Sequence, residues 1–214
     1  MSAVNQSDQD TEHYRREALG AFAHELRTPL TSMRMVLELA AQQSGSEALI
    51  LDGELAAMLD TSLQDLQQLV DDLQDLSRIE RKRAVIADGP ANLAVTLCDA
   101  IASLGPSVNV THDEVPPIVG PWDPSLLTRA LAGCAESANR AGDGSGEVTL
   151  CFAVTEDAVE LVFRSGEPSA EMRPVAADVG FAFFRSRDFI EAMGGHVSLE
   201  RGRRYASVTA VLPL

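Results

Sequence analysis

Several things are scarce in this sequence. Its 214 residues include 3 cysteines, 1 tryptophan and 2 tyrosines, and aromatic residues make up 5% of the total. Cys98, Cys134 and Cys151 are odd in number, far apart and set among apolar neighbours. That argues against a disulfide framework or a cysteine-built metal site and reads them as small buried side chains. Positive charge is short as well: 17 Lys and Arg face 32 Asp and Glu, a formal charge of −15. Phosphate backbones would be repelled, so no nucleic-acid partner is expected and a protein with a basic face is the natural complement. No apolar run approaches the roughly 18 residues that cross a bilayer, so no membrane insertion is expected. The start, Met1 to Asp10, lacks both the basic and the apolar part of a signal peptide. A soluble, cytoplasmic protein is expected. What is plentiful is apolar material: 45% hydrophobic residues give one large domain or two small ones a core each.

Residues 1–10 are polar and aperiodic, the pattern of a disordered leader. Leu19, Phe22, Leu26, Leu30, Met33, Leu37 and Ala40 then follow at steps of three or four, an apolar stripe along one helix from about 11 to 43. Ser44-Gly45-Ser46 reads as a helix stop and a new cap. Leu55, Leu59, Ser62, Leu66, Leu69, Leu73, Leu76 and Ile79 repeat the spacing in a second helix that ends near Arg81-Lys82-Arg83. Two such helices make an antiparallel hairpin over residues 11–83, and one hairpin cannot bury a stripe along its full length. A homodimer, two hairpins in a four-helix bundle, solves this, so the stripe is read as packing and not as chemistry.

Residues 84–90, ending in Asp88-Gly89-Pro90, read as a linker, and 91–214 as a second domain with shorter, mixed periodicities. Helices are expected at 92–104, 123–141 and 180–193, the second starting at Asp123 or Ser125. Strands are expected at 108–111, 117–119, 147–154, 158–164, 196–199 and 207–212. Helices interleaved with a mixed sheet give an α/β sandwich and an α+β chain overall. Trp122, between two prolines, is expected at its rim. His13, His112 and His196 are scattered without metal spacing.

The segment His24-Glu25-Leu26-Arg27-Thr28-Pro29-Leu30 carries the most information. At about 100° per residue, His24 lies about 200° from both Phe22 and Leu26, facing away from the stripe. Thr28 is one turn on, on the same face, and Glu25 is adjacent. Pro29 has no N–H, so the Glu25 carbonyl loses its helical partner and a bend is expected just below the histidine. An exposed imidazole is a nucleophile near neutral pH. A neighbouring carboxylate can accept its ring proton while the other nitrogen attacks phosphorus. The threonine hydroxyl can hold a water for the reverse, hydrolytic step. A mid-helix proline costs roughly 3 kcal/mol, which weighs toward function.

Phe22-Ala23-His24-Glu25-Leu26-Arg27-Thr28-Pro29-Leu30-Thr31 resembles the H-box of bacterial two-component sensor histidine kinases. The resemblance extends over nearly the whole chain. It implies a dimerisation and histidine-phosphotransfer hairpin, with His24 as phospho-acceptor, Glu25 as acid/base partner and Thr28 assisting phosphatase chemistry. It also implies that 91–214 correspond to an ATP-binding sandwich of the GHKL type.

That second half departs from the family pattern at the nucleotide contacts. The N-box would place its Mg²⁺-binding Asn at Ser137, and a neutral hydroxyl is the poorer fixed ligand. Asn139 is two residues along, about 200° around the helix, and cannot simply replace it. Glu136 is either the acidic residue of that helix near the phosphates or a solvated charge. The loop Asp-x-Gly-x-Gly is matched by Arg164-Ser165-Gly166, and Arg164, a pure donor, cannot accept from an adenine amino group. Gly-x-Gly-Leu becomes Gly180-Phe181-Ala182-Phe183, with a methyl where close backbone approach to phosphate is needed. Only 14 positions separate Gly166 from Gly180, a short lid. Gly194-Gly195 matches the family but is explained by a turn.

The resemblance thus points to a dimeric histidine phosphotransferase with a degenerate ATPase-like domain. Phosphoryl groups would pass between His24 and the Asp of response-regulator receiver domains. No cofactor is required, Mg²⁺ coming with the receiver. An upstream histidine kinase is a further expected partner. Two alternatives stand: an active soluble kinase that autophosphorylates His24 with ATP and Mg²⁺, and a non-catalytic dimeric regulator of a two-component system. With about 80 residues of hairpin and 120 of sandwich, nothing is expected to remain for a sensor.

Overall fold

A computed structural model describes residues 2–44, 51–80, 90–142, 144–166, 175–202 and 205–214. Ser44-Gly45-Ser46, Arg81-Lys82-Arg83, all but the last residue of the expected linker, and 167–174 of the expected lid lie wholly or largely outside the described residues. The chain divides into two compact units, Met1–Asp75 and Leu76–Leu214.

Helix α1 (Ser2–Ser44) and helix α2 (Gly53–Glu80) make the hairpin. α1 starts well before residue 11, so the expected leader is helical: positions 2–19 hold neither Gly nor Pro, and extending a helix is cheap once it is nucleated. Asp52 caps α2, its Oδ1 accepting from the backbone N–H groups of Glu54 (3.1 Å) and Leu55 (2.9 Å). Val36, Ala40 and Leu55 form a buried cluster with Met58 and Leu59 against it. Further along, Ser62 and Ser32 hydrogen-bond across the hairpin at 3.0 Å.

The apolar stripe does not act as one face. Pro29, Val36, Ala40, Leu55, Ser62, Leu69 and Asp72 are buried, whereas Leu19, Leu30, Leu37, Leu63, Val70 and Leu73 are exposed. Each helix carries apolar residues on a strip wider than one neighbour can cover, so a single chain leaves the outer strip open.

In the second unit the order is β1 (Ala91–Asn92), α3 (Leu93–Ser103), β2 (Asn109–His112), β3 (Val119–Gly120), α4 (Pro124–Ala141), β4 (Glu147–Val154), β5 (Ala158–Ser165), α5 (Val175–Ala192), β6 (His196–Arg201) and β7 (Ala206–Pro213). Five strands form one sheet in the order β2-β4-β5-β7-β6. β2 runs parallel to β4, and the other neighbours are antiparallel. β1 and β3 pair separately. Asn92 and Asp123 cap α3 and α4 through side-chain oxygens, which places the start of α4 at Asp123 and not Ser125. The core lies between sheet and helices, built from Leu97, Leu127, Leu131, Leu161, Phe163, Phe189, Ile190 and Leu212.

Two sequence expectations fail here. Trp122 is fully buried, not at a rim, and its Nε1 donates to the Pro213 carbonyl at 2.9 Å, anchoring the end of β7. Cys98 and Cys151 are exposed and only Cys134 is buried, because apolar neighbours in sequence alternate between faces of a strand or helix. Among the described residues no helix is long and apolar enough to cross a membrane.

Candidate functional site

α1 presents His24 and Thr28 to solvent on one face, as the helical spacing requires. Glu25 is half-buried and Pro29 buried, on the side turned toward α2. α1 continues through Pro29. Past it, Thr31 Oγ1 donates back to the Arg27 carbonyl at 2.8 Å, one turn earlier on the same helix. Arg15, Arg16, Arg27 and Arg34 are exposed on the same helix, and Arg34 pairs with Glu38 at 2.8 Å. His24 therefore stands beside a carboxylate and a hydroxyl on an accessible helix, a geometry able to take a phosphoryl group from a docked partner.

In the second unit the nucleotide-contact positions point elsewhere. Ser137 is buried on α4, and its Oγ donates to the Gly133 carbonyl at 2.6 Å. Its proton stays within its own helix, and its oxygen is buried with it. α5 lies directly on that stretch. A Cβ on Gly133 would sit 2.3 Å from Ser186 Oγ and 2.9 Å from the Ala182 carbonyl. Ser186 Oγ in turn donates to that carbonyl at 2.8 Å. Cys134 sits in the same seam, its thiol pushed up to about 12 by burial, against smaller opposing effects of Ser186 and Arg185. Glu136 is half-exposed and pairs with Arg185 at 4.0 Å. Arg185 also reaches the Arg129 carbonyl at 3.5 Å.

Arg164 faces outward from β5 and lies over the Tyr205 ring, 4.8 Å from its centroid. The inward residue at that end is Ser165, 3% exposed and tight against Gly142. Sequence reasoning missed Ser165, although the alternation Val159, Leu161, Phe163 continues to it. Gly166 is half-buried. Gly180 is buried and breaks α5 with φ 68° and ψ −179°, a conformation open to glycine almost alone. Ala182 is buried against α4. Neither an amide ligand, an inward carboxylate nor a second glycine stands at these positions, so the residues do not fit the nucleotide and Mg²⁺ that the family pattern implies. Among the described residues no three His, Cys, Asp or Glu side chains are grouped to hold a metal ion.

Residues 14–82 match the family model of the His Kinase A (phospho-acceptor) domain. The chain carries a two-component histidine kinase core. It is 32% identical over 143 residues to the sensor histidine kinase QseE of Escherichia coli, covering 65% of this chain and 30% of that protein. The same figures hold for the Escherichia coli sensor histidine kinase GlrK. The Escherichia coli sensor histidine kinase CpxA is 29% identical over 160 residues, 70% of this chain and 32% of CpxA. The chain thus spans about a third of the length of these curated relatives. In fold, the core is similar to the histidine kinase AdeS of Acinetobacter baumannii, with a TM-score of 0.67, 17% identity, and coverage of 89% of this chain and 97% of that one. The full-length ShkA structure in complex with AMPPNP gives a TM-score of 0.57 at 19% identity, over 93% of this chain and 45% of that one. A helical hairpin followed by a mixed α/β sheet domain is the architecture they share with it.

Proposed function

We propose that this protein is a phosphorelay component in which His24 exchanges phosphoryl groups with the Asp of response-regulator receiver domains, without drawing on ATP. Glu25 manages the imidazole proton during attack, and Thr28 holds the water that hydrolyses the phosphohistidine or the acyl phosphate. Mg²⁺ belongs to the receiver. The exposed outer strip with Leu30, Leu37, Leu63 and Val70 supports a homodimeric four-helix bundle. The α4–α5 seam supports the nucleotide-free part of the proposal: Ser137 is fully buried with its proton on the Gly133 carbonyl, and α5 packs on Gly133 itself.

A second reading, autophosphorylation of His24 by ATP, is favoured by the relatives, which are sensor histidine kinases, and by the AMPPNP complex of ShkA. Labelling the purified chain from a phosphorylated receiver, and separately from labelled ATP with Mg²⁺, decides between them. The relay reading expects label only from the receiver, lost in His24→Ala. Micromolar ATP affinity by calorimetry would move the conclusion to the kinase reading.

A further inference from the structure

Asp72 is 0% exposed, on a helix whose neighbouring Asp60, Asp65 and Asp71 are exposed. The next residue, Leu73, is the one left in solvent. One turn earlier, Gln68 donates its side-chain amide to Asp72 Oδ1 at 3.0 Å, orienting the carboxylate. The contact of Ser62 with Ser32 sets the level of the two helices, and the packing of Val36 and Ala40 on Leu55, Met58 and Leu59 agrees with it. Counting ten residues on along α2 and ten back along α1, Asp72 stands across from Phe22, two residues before His24.

A buried carboxylate costs more than a leucine there, and a buried polar group is best attested as a device that fixes register. The leucines of both helices repeat at steps of three or four, so apolar packing by itself tolerates a slip of one turn. Such a slip would set Asp72 across from Leu26 and Ser62 across from Val36 in one direction. In the other it would set Asp72 across from Ala18 and part the serine pair. We infer that Asp72, with the Ser32–Ser62 contact, is a positioning element that locks α1 against α2 in the register holding His24 at its working height, given His24 as the phospho-acceptor.

The test uses the full chain with Cys98→Ala and Cys151→Ala and spin labels at Glu38→Cys and Gln67→Cys, two exposed positions offset along the bundle axis by about 16 Å, in dimers diluted with unlabelled chain so that one protomer carries the pair. One interhelical distance is expected with Asp72 intact. Asp72→Leu is expected to add a population displaced by about 5 Å, one helical turn. The same variant should slow labelling of His24 by about tenfold or more while the thermal midpoint holds or rises. Asp72→Asn, which can still accept from Gln68, keeps the single distance and most of the rate. An unchanged single distance in Asp72→Leu overturns the inference. Should that variant fail to fold, Ser32→Ala with Ser62→Ala replaces it: a second distance is expected, and a single one overturns the inference. If His24 takes no label in the intact protein, the phospho-acceptor reading fails, and the distances still decide the register.

Discussion

In the proposed relay His24 draws on two neighbours at fixed helical offsets, Glu25 and Thr28, and each can be removed singly. Glu25→Gln is expected to slow phosphoryl transfer by about 10²–10⁴ with the fold intact, the usual contribution of a positioned acid/base. Thr28→Ala should still accept label from a receiver but lose it more slowly to water. A Thr28→Ala protein that dephosphorylates at the native rate removes the hydrolytic role. Cys134 offers a different handle. Its ordinary value of 9.0 is raised to about 12 in the fold, so the folded state holds the proton more tightly than the unfolded one. The associated stability is therefore whole below pH 9 and is lost progressively as pH rises toward 12. Denaturant midpoints measured across that range should fall, and less so in Cys134→Ala. In native protein a thiol reagent should reach Cys98 and Cys151 but not Cys134.

At the scale of elements, α4 and α5 depend on two glycines for separate reasons. Gly133→Ala places a methyl 2.9 Å from the Ala182 carbonyl and 2.3 Å from Ser186 Oγ. Overpacking of that kind costs about 1–3 kcal/mol, read as a lowered unfolding midpoint of the second unit. Gly180→Ala meets backbone strain, because φ 68° with ψ −179° is a glycine conformation, at a cost of about 1–3 kcal/mol. The order and type of these elements were legible in the sequence, since β4 spans Glu147–Val154 as its alternation predicts and Asp123 caps α4. The alternation along β5 also held the correction to Arg164: Val159, Leu161 and Phe163 point inward, so the next inward residue is Ser165. Matching the glycine of a loop pattern lost that parity, whereas strand geometry keeps it.

For the whole molecule, the open outer strip of the hairpin is the feature with the largest consequence. Leu30 is 53% and Leu63 52% exposed, more apolar surface in a row than an isolated hairpin carries without a partner. Leu30→Glu combined with Leu63→Glu is expected to convert a dimer to a monomer in sedimentation while the helical circular dichroism signal is kept. A native chain that sediments as a monomer would contradict the four-helix bundle. Local periodicity by itself determined the two long helices, the mixed sheet and the exposed His24 with Thr28 beside it, because those follow from 3.6- and 2-residue repeats within each segment. Tertiary structure alone decided that Asp72 and not Leu73 is buried, that Trp122 sits in the core, and that Gly133 lies against Ala182 and Ser186 of α5. These depend on which distant segment covers which face, and a repeat along one helix or strand holds no record of its neighbour.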